Sequence, residues 1–203
     1  PMQSYFELVY EYADRVGLRH DDSSLAITGN TDLFTEKLIT GFASAQFTNR
    51  IYLDAAITLG DKIDYSNNRI GDITELGATL EWNPTDHLKA TLGYINSALD
   101  ADEQDVYDAQ LIDTRITYQF NVRSYLKLSV VYQDIDRNPD NYLYDDVNKN
   151  TKNLATQLIY AYKINPQTVF FLGYSDNSFE DDELASLERE QRTFFTKVSY
   201  AWR

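Results

Sequence analysis

Along most of this chain apolar and polar residues alternate, a period of two that puts one set of side chains on each face of a strand. Residues 4–14 open the pattern, with Phe6, Leu8, Tyr10 and Tyr12 on one face and Tyr5, Glu7, Val9 and Glu11 on the other. Residues 15–32 are polar and read as a long loop. A hairpin about Thr48-Asn49 follows, made of 33–47 and 50–64; Gly41, Ala43 and Ala45 blur its first arm, whereas Ile51, Leu53, Ala55, Ile57 and Leu59 share a face of the second. Three more hairpins join 73–82 to 87–99, 107–120 to 125–136, and 153–164 to 169–177. Each has a short turn opened by an asparagine (Asn83, Asn121, Asn165) whose side chain is suited to bond back to the main chain. The last stretch, 192–203, places Phe194, Thr196, Val198, Tyr200 and Trp202 on one face, with Phe195 and Ala201 as exceptions.

About ten strands result, with short turns at one end and longer, mostly acid-rich connections (65–72, 100–106, 137–152, 178–191) at the other. That regularity predicts an all-β, antiparallel up-and-down transmembrane barrel in a single domain, 1–203, with short periplasmic turns and long acidic outer loops. Trp82, Phe120, Tyr162 and Trp202 fall near the short turns, and Tyr94, Tyr132 and Tyr174 lie nine to eleven residues beyond each opening asparagine. At about 3.3 Å per residue and a tilt near 40°, this spacing separates two aromatic girdles by about 25 Å, the height of an outer-membrane apolar band. Between the girdles the same face carries Leu76, Ala78, Leu80, Leu88, Ala90, Leu92, Ile112, Ile116, Leu126, Leu128, Val130, Leu154 and Leu158, none of them charged. The opposite face carries Glu7, Glu11, Asp54, Glu75, Glu81, Lys89, Asp113, Arg115, Gln119, Lys127, Gln133, Gln157, Lys163 and Lys197, which predicts a polar lumen. Glu81 and Lys89 fall nearly equidistant from one turn and are expected to meet, as are Gln119 and Lys127. A closed barrel pairs the last strand with residues 4–14; unpaired edges instead imply part of a larger barrel.

Composition narrows the function classes. No apolar run approaches the roughly 18–20 residues of a membrane helix. The absence of cysteine removes disulfides, thiol nucleophiles and cysteine metal sites. A formal charge of −14 without any basic run argues against nucleic acid. The chain opens on Pro1 with no charged and apolar leader, so a signal peptide is expected to be already removed or to lie outside this sequence.

The stretch NLATQLIYAYKINPQTVFFLGYSDN (153–177), with FFTKVSYAW after it, resembles the C-terminal outer-membrane barrel of the bacterial domain-of-unknown-function family 5916. TRITYQFNVRSYLKLSVVYQD (114–134) resembles the next hairpin upstream in that family. The resemblance covers about the last hundred residues and implies architecture, not chemistry. Longer members carry a signal peptide and a sandwich similar to family-9 carbohydrate-binding modules, neither of which is expected within these 203 residues, and outer-membrane chains commonly end on the aromatic that here precedes Arg203.

The candidate chemistry is sparse. His20-Asp21-Asp22 in the first long loop is the nearest approach to the Asp/His and acid pairs of an omptin-like rim protease, but it lacks a spaced Asp-x-His on a strand, and a solvated loop is the better account. His87 follows a short turn and reads as an interfacial polar residue. Asp140, Asp145, Asp146 and Asn148, and Glu180, Asp181, Asp182 and Glu183, offer oxygen ligands without the spacing of a dedicated calcium loop. The expectation is therefore a non-enzymatic outer-membrane barrel without cofactor. It serves as an anchor, a surface scaffold or a narrow passage for polar solutes, and its partners are outer-membrane lipid, lipopolysaccharide and the barrel-assembly machinery. A rim protease and a soluble ligand-binding β-barrel are the alternatives.

Overall fold

A computed structural model describes residues 3–16, 33–143, 146–184 and 186–202. The alternating stretches form β1 (Gln3–Val16), β2 (Leu33–Thr48), β3 (Ile51–Asp64), β4 (Arg69–Thr85), β5 (Leu88–Ala101), β6 (Gln104–Asn121), β7 (Ser124–Arg137), β8 (Asn150–Asn165), β9 (Thr168–Glu180) and β10 (Glu188–Tyr200). A 3-10 turn at Pro139–Asn141 is the only helical element among the described residues. Among the described residues no helix is long and apolar enough to cross a membrane. The ten strands make one antiparallel sheet in chain order, so every strand pairs with its sequence neighbours.

Four short turns, 49–50, 86–87, 122–123 and 166–167, deliver each strand to its partner. All four are entered through a one-residue bulge: Trp82 stands opposite Ala90 but Thr85 opposite Leu88, and the same offset recurs at Gln46/Thr48, Gln119/Asn121 and Lys163/Asn165. Such bulges bend a strand and sharpen its twist. The residue before each turn caps it. Asn121 Oδ1 accepts from Arg123 N at 2.8 Å, and Asn165 Oδ1 accepts from Gln167 N at 2.9 Å. In the hairpin where Asn83 is expected to do this, Thr85 Oγ1 takes over, accepting from His87 N and Leu88 N. The strand runs through Asn83 and Pro84 because the bulge frees the proline from the ladder.

At the other end two expected long loops are mostly strand. β3 and β4 are joined by residues 65–68 alone, and β5 and β6 by Asp102 and Glu103, whose φ values of 56° and 62° fit the hairpin turn that needs both central residues left-handed. Backbone pairing continues past the amphipathic stretches, which side-chain alternation does not register. Among the described connections, only β7–β8 and β9–β10 are longer.

Two irregular residues have steric explanations. Gly60 adopts φ +135°, and a Cβ there would lie 2.0 Å from the Lys37 carbonyl oxygen, so only glycine lets β2 and β3 close. Phe195, an exception to the alternation, lays its ring over its cross-strand partner Gly173, where a Cβ would sit 2.1 Å from the ring.

Among the described residues the last strand does not pair with 4–14, the pairing expected of a closed barrel. Among the described residues β1 and β10 each keep one unpaired edge, with Phe6 72% and Phe194 73% exposed. Turns fix neighbours two residues apart, whereas the meeting of first and last strands depends on the curvature of the whole sheet. Five of the six buried apolar side chains among the described residues, Ile63, Ile73, Leu99, Ala101 and Val106, gather at the end away from the four short turns; the sixth, Ala161, lies near the short turn 166–167.

Candidate functional site

Residues directly opposite in an antiparallel pair share a face, so the registers assign the strand side chains to one side or the other. One row runs Ile51, Trp82, Ala90, Ile116, Leu128, Leu158, Tyr174, Phe194 across β3 to β10. Leu76, Ala78, Leu80, Leu92, Ile112, Leu126, Val130, Leu154, Phe6 and Leu8 lie on the same face. Between the aromatic levels it carries no charged residue. Trp82 and Tyr174 share a row although they belong to opposite girdles, because a row perpendicular to tilted strands climbs as it crosses the sheet.

The apolar band ends sharply. Tyr132 and Tyr174 donate their hydroxyls to Asp134 and Asp176, two residues on, at 2.9 and 2.7 Å. Asn96, two residues after Tyr94, donates to Asp108 at 2.7 Å. Past this Tyr-x-Asp/Asn level the same face is ionic, with Lys152–Glu180 at 2.8 Å and Arg189–Asp176 at 2.6 Å. Near the short turns Phe120 lies 5.0 Å from Tyr118 and 6.3 Å from Tyr160 by ring centroids, Tyr162 stands opposite Phe170, and Trp202 meets Tyr200 edge-on.

Glu75, Glu81, Lys89, Arg115, Lys127, Lys163 and Lys197 occupy the opposite face. Lys89 Nζ reaches Glu81 at 2.8 Å, Lys62 reaches Glu75 at 3.8 Å, and Arg115 forks onto Asp113 through Nε and Nη2 at 3.1 and 2.5 Å. Gln119 and Lys127 take other neighbours: Gln119 donates to Asn121 O, and Lys127 faces Thr117. Apolar residues interrupt this face, among them Phe42, Ile95, Leu111, Val131 and Phe171.

Three connections close over the end of this second face away from the four short turns. Tyr142, just after the 3-10 turn, packs against the cluster of Ile73, Leu99, Ala101 and Val106, with Leu38 and Tyr107 alongside. Burial pushes its phenol above the ordinary tyrosine value. Asn141 donates its side-chain amide to the carbonyls of Ala101, Gln104 and Asp105, and Leu143 N donates to Asn67 Oδ1 at 2.8 Å. Arg69 fastens the assembly, reaching Asp64 Oδ2 at 3.1 Å, Asp102 Oδ2 at 2.7 Å and Asn141 O at 2.8 Å. Asp64 is almost fully buried and also accepts from Ser66 N and from Asn67 N and Nδ2. This clasp joins β3–β4, β5–β6 and β7–β8. Sequence reasoning misses it; the isolated Arg69 in an acidic setting and Tyr142 in a polar loop are its faint signals.

The other candidates scatter. His20, Asp21, Asp22 and Asp145 lie outside the described residues. His87 Nδ1 bonds to Gln119 O at 2.8 Å, beside Tyr118. Among the described residues no three His, Cys, Asp or Glu converge as metal ligands. Asp182 instead binds main chain, accepting from Asn150 N at 2.7 Å and from Lys149 N, and these two donors hold its carboxyl below the ordinary range. No family model matches this chain, and no curated protein is similar to it in sequence.

Proposed function

We propose that this sheet is the wall of an outer-membrane β-barrel, a non-enzymatic anchor or scaffold with a covered mouth and a narrow polar interior. The observation that carries this reading is the uncharged band across all ten strands, bounded by aromatic residues and a sharp ionic level. In water such a continuous apolar surface is an association hazard; against hydrocarbon it is the ordinary exterior of a barrel. The opposite face, with its ion pairs, then lines the lumen.

Unpaired strand edges are not tolerated in lipid, where each unsatisfied backbone group costs several kcal/mol. The edges of β1 and β10 must therefore be sealed by strand pairing. β1 runs away from the short-turn end and β10 runs toward it, so antiparallel alternation requires an even number of intervening strands, zero included. The kinship suggested by the hairpins 114–134 and 153–177 with family 5916 is part of this proposal. Solute passage is the minor role, because the clasp covers the lumen beneath β3 to β7.

The test is depth-resolved quenching of Trp82 and Trp202 in proteoliposomes whose lipids carry bromine at defined acyl positions. Both indoles are expected to quench most with bromines nearest the headgroups. A chain that stays monodisperse and folded without detergent, with both indoles unquenched, would refute the lipid-facing assignment.

A further inference from the structure

On the face assigned above to the lumen, a depression of about 360 Å³ lies across β3 to β6. One cross-strand row supplies most of its base: Asp54, Thr79, Gly93 and Asp113 stand opposite one another in succession. Gly77 and Gly93 leave the floor without side chains, and a Cβ built on Gly77 would meet nothing within 4 Å. Thr79 and Thr91 offer hydroxyls beside that floor. The two ends differ in charge. At one end Asp54 makes no hydrogen bond or ion pair among the described residues, although the neighbouring carboxylates Glu75 and Glu81 each have a lysine. At the other end Arg115 spends Nε and Nη2 on Asp113 and keeps Nη1 uncommitted among the described residues.

An unengaged carboxylate and a guanidinium edge, separated by a bare floor with hydroxyls, suit a ligand with an ammonium at one end and a carboxylate at the other. Asp54 and Asp113 are three strand spacings apart, about 14 Å between backbones. Allowing for the side chains that reach inward from both ends, the remaining span matches about two or three extended residues at roughly 3.3–3.6 Å each. We infer that the depression is a binding site for short zwitterionic peptides, with the N-terminal ammonium on Asp54 and the C-terminal carboxylate on Arg115 Nη1. The free amides of such a ligand lie over Thr79 and Thr91. This inference rests on the reading of that face as an aqueous lumen.

The experiment is titration calorimetry of the full chain in lipid nanodiscs with trialanine, N-acetyl-trialanine and trialanine amide. Free trialanine is expected to bind saturably, and capping either end to weaken it about tenfold or more, the worth of one charge-assisted hydrogen bond. Asp54→Asn is expected to equalise the free and acetylated peptides, and Gly77→Leu to abolish binding of all three by filling the floor. Equal affinity for free and capped peptides, or no saturable binding of trialanine, overturns the inference. The peptide series needs only the native chain, so a variant that fails to fold leaves it decisive. Lost binding with Trp82 and Trp202 still quenched refutes the peptide site alone, whereas lost quenching refutes the membrane reading.

Discussion

Replacing Arg69 with alanine is the sharpest perturbation of the clasp. The side chain, about a quarter exposed, holds the carboxylate of Asp64, 3% exposed, and that of Asp102, 77% exposed. Breaking a buried pair by removing one partner costs roughly 3–5 kcal/mol, because the remaining charge is left in a poor environment. Here Asp64 keeps its bonds from Ser66 N and from Asn67, which puts the loss at the lower end, about 3 kcal/mol. The exposed arm to Asp102 is worth no more than about 1 kcal/mol. Amide exchange at Leu143, whose N–H is bonded to Asn67 Oδ1, reads the local opening. Arg69→Ala is expected to raise its exchange roughly a hundredfold at neutral pH, and Asp102→Asn less than about tenfold. Equal effects of the two variants would show that the clasp is held by Tyr142 packing, and the electrostatic reasoning would fail.

Three further outcomes follow from the geometry. Leu128→Arg, at mid-band on the face proposed to meet lipid, is expected to lower stability in bilayers by about 2–4 kcal/mol, and Val131→Arg, opposite Asp113, by much less; urea unfolding in liposomes that ranks them the other way would invert the two faces. Asp182 has a depressed folded-state value, so its tether between the β7–β8 and β9–β10 connections is fully present above the unfolded carboxylate value near 3.9 and is lost as pH falls through the folded one. Exchange at Asn150 N is therefore expected to accelerate below about pH 4 beyond its intrinsic pH dependence, and Asp182→Asn to remove that extra change. Gly60→Ala, forced against Lys37 O in a left-handed conformation, is expected to cost at least about 1–3 kcal/mol, seen as a lower unfolding midpoint; an unchanged midpoint would contradict the close approach of β2 and β3.

The sheet was legible in the sequence where information is local. Alternation placed Trp82, Leu128 and Tyr174 on one face and Glu81, Lys89 and Arg115 on the other, since every second residue shares a side however long the strand runs. Turn chemistry found Asn121 and Asn165, but passed over Thr85, because a hydroxyl caps by the same bond with a weaker compositional mark. Strand length misled at 65–72 and 100–106: backbone pairing continues through Asp72 and Asp105 whether or not their side chains alternate. The clasp was illegible for another reason. Arg69 and Asn141 are 72 positions apart and meet only once two hairpins stand between them. The same holds for the edges of β1 and β10, whose partners depend on a curvature accumulated over nine pairings.

On the proposed membrane reading, the tyrosine level is a waterline. Tyr132 and Tyr174 each have a carboxylate two residues beyond, so sinking those strands by one pleat would carry Asp134 and Asp176 into hydrocarbon, and raising them would lift Val130 and Leu172 to the tyrosine level. A molecule marked in this way has little vertical freedom. On the same proposed reading it would deform a bilayer whose apolar layer is thicker than about 25 Å, at a fraction of a kcal/mol per ångström of mismatch, and would collect where the membrane is thin.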